Sequence, residues 1–227
     1  MASRPTPTSV RRLARLKQKK QREAERLFLT EGRSLVEGSP ISPVATFTAR
    51  EDVERLSSLE TPTGPVGVFA FLDISAGELL ESRDRLILLH GVQDPGNVGT
   101  VIRAAHAFGA GVALSKGCAD LYNPKTVRAT MGSIFYAPVA RRVESVELIE
   151  GAREAGFVSA AAVPEGGQSP RSAISGKSLV AVGAEGSGLP EEVEAACDKR
   201  VSIPAKAPSL NAAMAASILL YEAHAVC

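Results

Sequence analysis

Hydrophobic positions along this chain fall into two regimes. From Arg85 onward, short apolar runs alternate with segments of helical periodicity. The runs predict strands at 86–90, 112–114, 158–163, 179–183 and 201–204, and the intervening segments predict helices over 97–108, 146–155, 191–197 and 209–225. Short apolar strands separated by helices imply an α/β fold, a parallel sheet with helices on both faces. Two of the helices, 97–108 and 209–225, are apolar nearly all round and need cover on more than one side. A second copy supplies that cover most simply, so a homodimer is expected.

Before Arg85 the pattern is looser. Residues 1–9 are rich in Pro, Ser and Thr and are expected to be disordered. Residues 10–28 read as one helix with sparse apolar positions at Val10, Leu13, Leu16, Ala24 and Leu27. A small α/β unit follows over 27–82, with a strand starting at 27–29, a helix near 52–59 and a strand at 66–72. A linker around 75–84 is expected to join it to the larger domain, 84–227.

Charge sharpens the first segment. The chain carries a net charge of +1. Residues 1–26 hold nine Lys/Arg against two Glu, a balance of +7, which leaves −6 for the rest. A basic arm on a mildly acidic body points to a polyanionic partner, with Arg11, Arg12, Arg15, Lys17, Lys19, Lys20 and Arg22 as candidate phosphate contacts. Aromatic residues make up 4% and Trp is absent, so stacking on an aromatic sheet is an unsuitable way to hold bases. Cys118, Cys197 and Cys227 form no Cys-x-x-Cys pair, and His90, His106 and His224 lack ligand spacing, so no metal or disulfide framework is expected. A reducing cytoplasm fits, and no apolar run is long enough for a membrane span.

Two nucleotide motifs fail on inspection. Gly176-Lys177-Ser178 ends like a phosphate loop, but Arg171 stands where the first Gly is needed. The run 183–188 follows a strand, but Glu191 occupies the third Gly position of a dinucleotide fingerprint, and Glu185 would repel a pyrophosphate. What remains is three polar loops at strand ends, where open parallel sheets bind ligands. The first runs from Gln93 through Asp94, Pro95, Gly96 and Asn97 to Gly99, with Asn97 placed to begin a helix and Arg103 two turns in. The second is the glycine-rich turn 183–188. The third is 203–211, with Ser209 as the expected cap of the last helix.

The pattern Asp94-Pro95-Gly96-Asn97-x-Gly99-x-x-x-Arg103, then Gly183-Ala184-Glu185-Gly186-x-Gly188, then Ile203-Pro204 with Ser209-Leu210-Asn211 resembles the three motifs of the SpoU-type RNA 2′-O-ribose methyltransferases, of the knotted SPOUT superfamily. More loosely, Phe28-Leu29-x-Glu31-Gly32 and Glu60-Thr61-Pro62-x-Gly64 resemble the ribosomal-protein-like substrate-binding domain of the ribosomal RNA branch. The resemblance implies S-adenosylmethionine as donor, a ribose 2′-hydroxyl of RNA as acceptor and a C-terminal deep trefoil knot. It assigns Gly183, Gly186, Ile203, Ala205 and Leu210 to the donor and Asn97, Arg103, Glu185, Ser209 and Asn211 to catalysis. Arg103 is expected to be held by Asn97 and Glu185. Because a guanidinium resists deprotonation, it is expected to clamp a phosphate and steady the developing alkoxide. A transfer RNA substrate, or a non-catalytic RNA-binding or ribosome-assembly protein on the same scaffold, remains the alternative.

Overall fold

The computed structural model describes residues 7–207 and 209–225. Of the stretch 1–9, positions 1–6 lie outside the described residues, as does Cys227. Helix α1 already begins at Pro7 and runs to Ala14. The single helix expected over 10–28 is interrupted. A tight 3-10 turn, Arg15–Lys17, follows α1, and Gln18 is extended (φ −93°, ψ 133°) before α2, Lys19–Glu25. Arg26 in the left-handed region (φ 54°) ends α2 and turns the chain into strand β1, Leu27–Glu31.

A short helix α3 (Arg33–Val36), strand β2 (Ala45–Phe47), helix α4 (Arg50–Leu56) and strand β3 (Val66–Ala70) complete the small unit. Its sheet is antiparallel in the order β1-β3-β2, with Phe28 opposite Phe69 and Thr46 opposite Gly67. Strand side chains alternate between faces. One face sends Leu29, Phe47, Val66 and Val68 against Val10, Leu13 and Leu16 of the N-terminal helices and Val53 and Leu56 of α4. The other face sends Phe28 and Phe69 into the core of the large domain, beside Tyr122 and Phe135. The small sheet is therefore a layer between its own helices and the large domain.

The linker expected near 75–84 is instead helix α5, Ala76–Ser82. Ser75 and Glu78 form a reciprocal capping box at its start, and Leu79 is fully buried. Beyond it come β4 (Arg85–His90), α6 (Pro95–Ala107), β5 (Gly111–Ser115), α7 (Pro124–Ala129), β6 (Val139–Val143), α8 (Ser145–Glu154), β7 (Val158–Ala162), α9 (Pro170–Ala173), β8 (Ser178–Gly183), α10 (Glu191–Ala196), β9 (Lys199–Val201) and α11 (Ala212–Ala225). The sequence pattern missed β2, β6, α3, α7 and α9. Strand β6 is an edge strand that carries Arg141 and Arg142, which hides its apolar signal.

The six strands form one wholly parallel sheet in the order β6-β5-β4-β8-β7-β9. Ile87, Leu89, Val112, Leu114, Val180 and Val182 face α6 and α11. Leu86, Leu88, Ala113, Leu179 and Ala181 face α5, α8 and α10. Burial on both faces is why these strands read as continuous apolar runs. Helix α6 also packs on α7 so closely that a Cβ at Gly99 would lie 2.4 Å from the Ala129 Cβ.

A polar clasp joins the two units. The Tyr122 hydroxyl accepts from the backbone amides of Leu72 (2.6 Å) and Asp73 (2.7 Å) and donates to the Asp73 carboxylate (2.7 Å). Arg141 pairs with Asp73 (2.9 Å) and Glu23 (2.6 Å), and its guanidinium lies over the Phe71 and Tyr122 rings. Burial, then the bond to Asp73, pushes the Tyr122 phenol upward. Burial alone would raise Asp73, but the Tyr122 hydroxyl and Arg141 outweigh it and hold the carboxyl below its usual range.

The basic segment is thus built into the fold through its apolar stripe. Leu16→Ala should cost about 2–5 kcal/mol, the range for a buried Leu truncation. Urea denaturation measures it, and a midpoint equal to wild type would mean the segment is only appended.

Candidate functional site

The carboxyl ends of β4, β8 and β9 lie along one edge of the sheet, and each opens into a loop. After β4, the cap of α6 is Asp94 and not Asn97: the Asp94 carboxylate accepts from the Asn97 amide at 2.8 Å. Pro95 takes the first helical position, where its missing N–H costs nothing. Asn97 consequently sits inside the first turn, and its carboxamide is free to reach across to the next loop.

After β8, the chain folds back on itself. The Gly188 amide donates to the Ala184 carbonyl at 2.9 Å, and Gly186 and Gly188 hold positive φ (88° and 67°). Gly183 has no room for a side chain. A Cβ there would lie 2.1 Å from the Gly188 carbonyl carbon and 2.4 Å from the Leu189 nitrogen. The turn presents bare backbone, with Glu185 at its tip.

After β9, residues 202–207 and 209–211 lead back to α11. The expected cap Ser209 is not the cap. Asn211 holds that position, its side-chain oxygen accepting from the amides of Ala213 (3.0 Å) and Met214 (3.1 Å). Ser209 and Leu210 remain in the loop.

Glu185 binds the three loops together. One of its carboxylate oxygens, Oε1, accepts from the Asn97 carboxamide (2.9 Å), the Asn211 carboxamide and the Ala212 backbone amide (3.2 Å). Asn211 also donates to the Asn97 oxygen at 3.1 Å. Two cavities flank this knot of polar groups. One, of about 470 Å³, lies over the ends of β7, β8 and β9 and is walled by Val163, Val182, Val201, Leu210 and Leu219. Gly183, Gly186, Ile203, Ala205 and Leu210, the residues assigned to a donor, all line it, as do Glu185, Ser209 and Asn211. The other, of about 550 Å³, is a polar cleft between the β4 and β8 loops, bounded by His90, Gln93, Asp94, Asn97, Glu185 and Ser187. Glu185 faces both.

Arg103 is the exception. Asn97 and Glu185 do not hold it; they bond to each other and to the last helix. Six residues separate Asn97 from Arg103, about 9 Å of rise and roughly 240° of rotation at 3.6 residues per turn, so the two side chains leave different sides of α6. Arg103 is exposed and has no hydrogen bond or ion pair among the described residues.

In the basic segment, Arg11, Arg12, Arg15, Lys17, Lys19 and Lys20 are exposed. Arg22 is not a surface contact. It is 3% exposed, donates to the Leu16 and Lys17 carbonyls, and pairs with Asp120 at 2.6 Å. The buried pair with Asp120 fixes α2 to the loop after β5. Arg12 pairs with Glu25, and Lys17 donates to the Arg55 carbonyl. Among the described residues no His, Cys, Asp or Glu group has metal-binding geometry, and no helix is long and apolar enough to cross a membrane. Burial pushes both described thiols up, that of Cys197 to about 12.

A family model described as the SpoU rRNA Methylase family matches residues 84–221. The chain is 33% identical over 230 residues to the 23S rRNA (guanosine(2553)-2′-O)-methyltransferase RlmP of Bacillus subtilis, covering 92% of each chain. It is 34% identical over 181 residues to the 23S rRNA (uridine(2479)-2′-O)-methyltransferase of Streptomyces viridochromogenes, covering 72% of this chain and 62% of that one. Among solved structures, an AdoMet-bound rRNA methyltransferase from Sinorhizobium meliloti superposes with a TM-score of 0.83 at 28% identity, covering 98% of this chain and 96% of that one.

Gly183→Ala tests the turn. Its Cβ must push Gly188 and Leu189 aside, so we expect a loss of about 1–3 kcal/mol, as for overpacked sites. Hydrogen exchange at the Gly188 amide should speed up, because its bond to Ala184 opens. Wild-type stability and protection would show that the turn tolerates a side chain.

Proposed function

The chain belongs to the SpoU rRNA methylase family, and we propose that it transfers a methyl group from S-adenosylmethionine to a ribose 2′-hydroxyl of ribosomal RNA. The observation that carries the reading is the Glu185 tie between a cavity walled by aliphatic side chains and bare backbone and a polar cleft on one sheet edge.

The cavity suits the donor. Its volume lies within the roughly 300–1,000 Å³ of small-molecule sites, most of its lining side chains are apolar while backbone and Glu185, Ser209 and Asn211 add polar surface, and Gly183 offers backbone where any Cβ would collide. Gly183, Gly186, Ile203, Ala205 and Leu210 hold it, and when bound it supplies an electrophilic methyl on a sulfonium. The polar cleft takes the acceptor nucleotide, with Asn97, Asn211 and Ser209 orienting the ribose. Holding the hydroxyl in line with the methyl provides much of the rate. Glu185 serves by fixing both carboxamides.

Arg103 offers a planar fork of donors suited to a phosphate. From its exposed side of α6 it takes a phosphate beside the acceptor and stabilises the oxygen as its proton leaves. It is free for this role because Asn97 and Glu185 satisfy each other.

Three further points belong to the same reading. The chain returns from edge strand β9 so that α11 lies against β4, β8 and α6 at the sheet centre, which supports a C-terminal trefoil knot. Residues 27–82 act as an RNA-binding domain and 1–26 as its basic extension. The large residues Met214 and Tyr221 of α11 are more than half exposed, which supports a homodimer that covers α6 and α11.

Incubation of bulk ribosomal RNA with methyl-labelled donor should give label in alkali-resistant dinucleotides, the signature of a blocked 2′-hydroxyl. Arg103→Ala should lower turnover at least 100-fold, about 2.7 kcal/mol of barrier, while the fold and donor affinity persist. RNA binding without label would identify a non-catalytic binding protein, and wild-type turnover by the variant would remove Arg103 from the mechanism.

A further inference from the structure

The sheet edge that carries the site continues past it. At the carboxyl ends of β5 and β6 lies a third cavity, of about 330 Å³, which the catalytic assignment does not use. Lys19 of α2, Lys116, Arg141 and Arg142 line it together with residues 117–121, among them Asp120, whose carboxylate is taken by Arg22. We propose that this cavity binds a backbone phosphate of the RNA strand that flanks the modified nucleotide, an inference that rests on the RNA methyltransferase reading.

Four observations converge on it. The first is position. The Gly91 amide donates to the Ser115 hydroxyl at 3.0 Å, and the Ala119 amide donates to the Val92 carbonyl at 2.9 Å. Gly91 and Val92 also bound the polar cleft, so the wall of the acceptor cleft and the floor of the basic cavity are one bonded unit. The junctions β4/β8 and β5/β6 are two strand spacings apart, roughly 10 Å, a span that a short stretch of single strand can bridge.

The second is the way β6 delivers its two arginines. The pairing with β5 slips between Leu114, opposite Arg141, and Ser115, opposite Val143. Arg142 is the extra residue, at φ 59°. Bulges at a sheet rim re-aim side chains, and a non-glycine residue with positive φ is a strain the fold retains. The bulge leaves Arg141 inside the clasp, 9% exposed, and turns Arg142 outward, 52% exposed.

The third is the state of the cations. Lys19 is exposed and has no partner among the described residues. Lys116 pairs with Glu144 on the surface, and Arg142 with Glu23. Exposed pairs of this kind hold weakly and are screened by salt. A phosphate can therefore displace Glu144 from Lys116. Arg141, bonded to both Asp73 and Glu23, stays structural.

The fourth is continuity. Helix α2 begins with Lys19 and Lys20, both exposed, and Arg15, also exposed, precedes it in sequence. Lys19 thus ties the basic N-terminal segment to the cavity, and buried Arg22 anchors that helix to Asp120 on the cavity wall.

Titration of a mixed-sequence single-stranded oligoribonucleotide at several salt concentrations tests this. The Lys19→Gln, Lys116→Gln double variant should bind about tenfold more weakly, with a salt slope shallower by about 0.7 for the one phosphate no longer neutralised. Its KM for ribosomal RNA should rise with kcat and donor affinity unchanged. Glu144→Gln should act oppositely and tighten binding, because it frees Lys116, an effect that a merely structural role would not produce. Wild-type affinity and slope in both variants would overturn the proposal. So would AMP binding that depends on these residues while oligoribonucleotide binding does not, since the cavity would then serve free phosphate esters. RNA binding that changes as expected in a protein that transfers no methyl group would leave the cavity standing and sink the methyltransferase reading instead.

Discussion

Everything at the working edge of this molecule depends on a single carboxylate oxygen. Oε1 of Glu185 takes donors from the start of α6, from the cap of α11 and from the first amide of α11. Those donors come from positions 97, 211 and 212, and Glu185 itself from the turn after β8, so one oxygen joins three loops far apart in sequence. The direct bond from Asn211 to Asn97 spans only two of them. A charged acceptor forms stronger hydrogen bonds than a neutral one. At this spot it also does what a hydrophobic contact could not, because the loops must stay polar and open on their ligand side. The glycines serve the same end. Gly183 closes the turn against Gly188 and so sets where Glu185 stands.

The rest of the fold gives that tie a rigid base. A parallel sheet buried on both faces supplies fixed strand ends, and the loops begin from those ends. The small sheet is layered onto the same core through Phe28 and Phe69, and the Tyr122–Asp73–Arg141 clasp locks the junction. The basic helices are locked in turn by Leu16 and by the buried Arg22–Asp120 pair. Charge that reads as a loose arm in sequence is therefore carried on helices fixed to the fold, with Lys19 on the wall of the cavity at the ends of β5 and β6. On the proposed reading, one surface combines sequence-independent phosphate contacts with a reaction centre that must be placed to within a fraction of an ångström.

Much of this was legible in the sequence, for identifiable reasons. Strands β4, β5, β7 and β8 carry short apolar runs and announce themselves that way, whereas β9 (Lys199–Val201) is an edge strand with two basic residues, and the run read at 201–204 overlaps it only at Val201. Strand β6 does not announce itself, because its two arginines serve a clasp and a bulge. Helices α7 and α9 have six and four residues and begin at Pro, too short to show a period. The three site loops were visible as Gly, Pro and Asn clusters at strand ends. Their internal wiring was not. Asp94 and Asn97, or Ser209 and Asn211, are equally good caps on paper, and only packing decides which of each pair is spent on the helix. Likewise Arg22 is indistinguishable from its basic neighbours until Asp120, 98 residues away, is brought beside it. Both outcomes are long-range, and local pattern holds no trace of them.

If Glu185 organises the donor cavity and the acceptor cleft together, calorimetric titration of S-adenosylmethionine into wild type, Glu185→Gln and Glu185→Ala tests it most directly. Glu185→Ala should lose at least tenfold in donor affinity and nearly all methyl transfer while its thermal midpoint stays close to wild type, and Glu185→Gln, which keeps one acceptor oxygen, should fall between. Donor affinity and turnover equal to wild type in Glu185→Ala would contradict that role, since the three loops would then hold their places without the carboxylate.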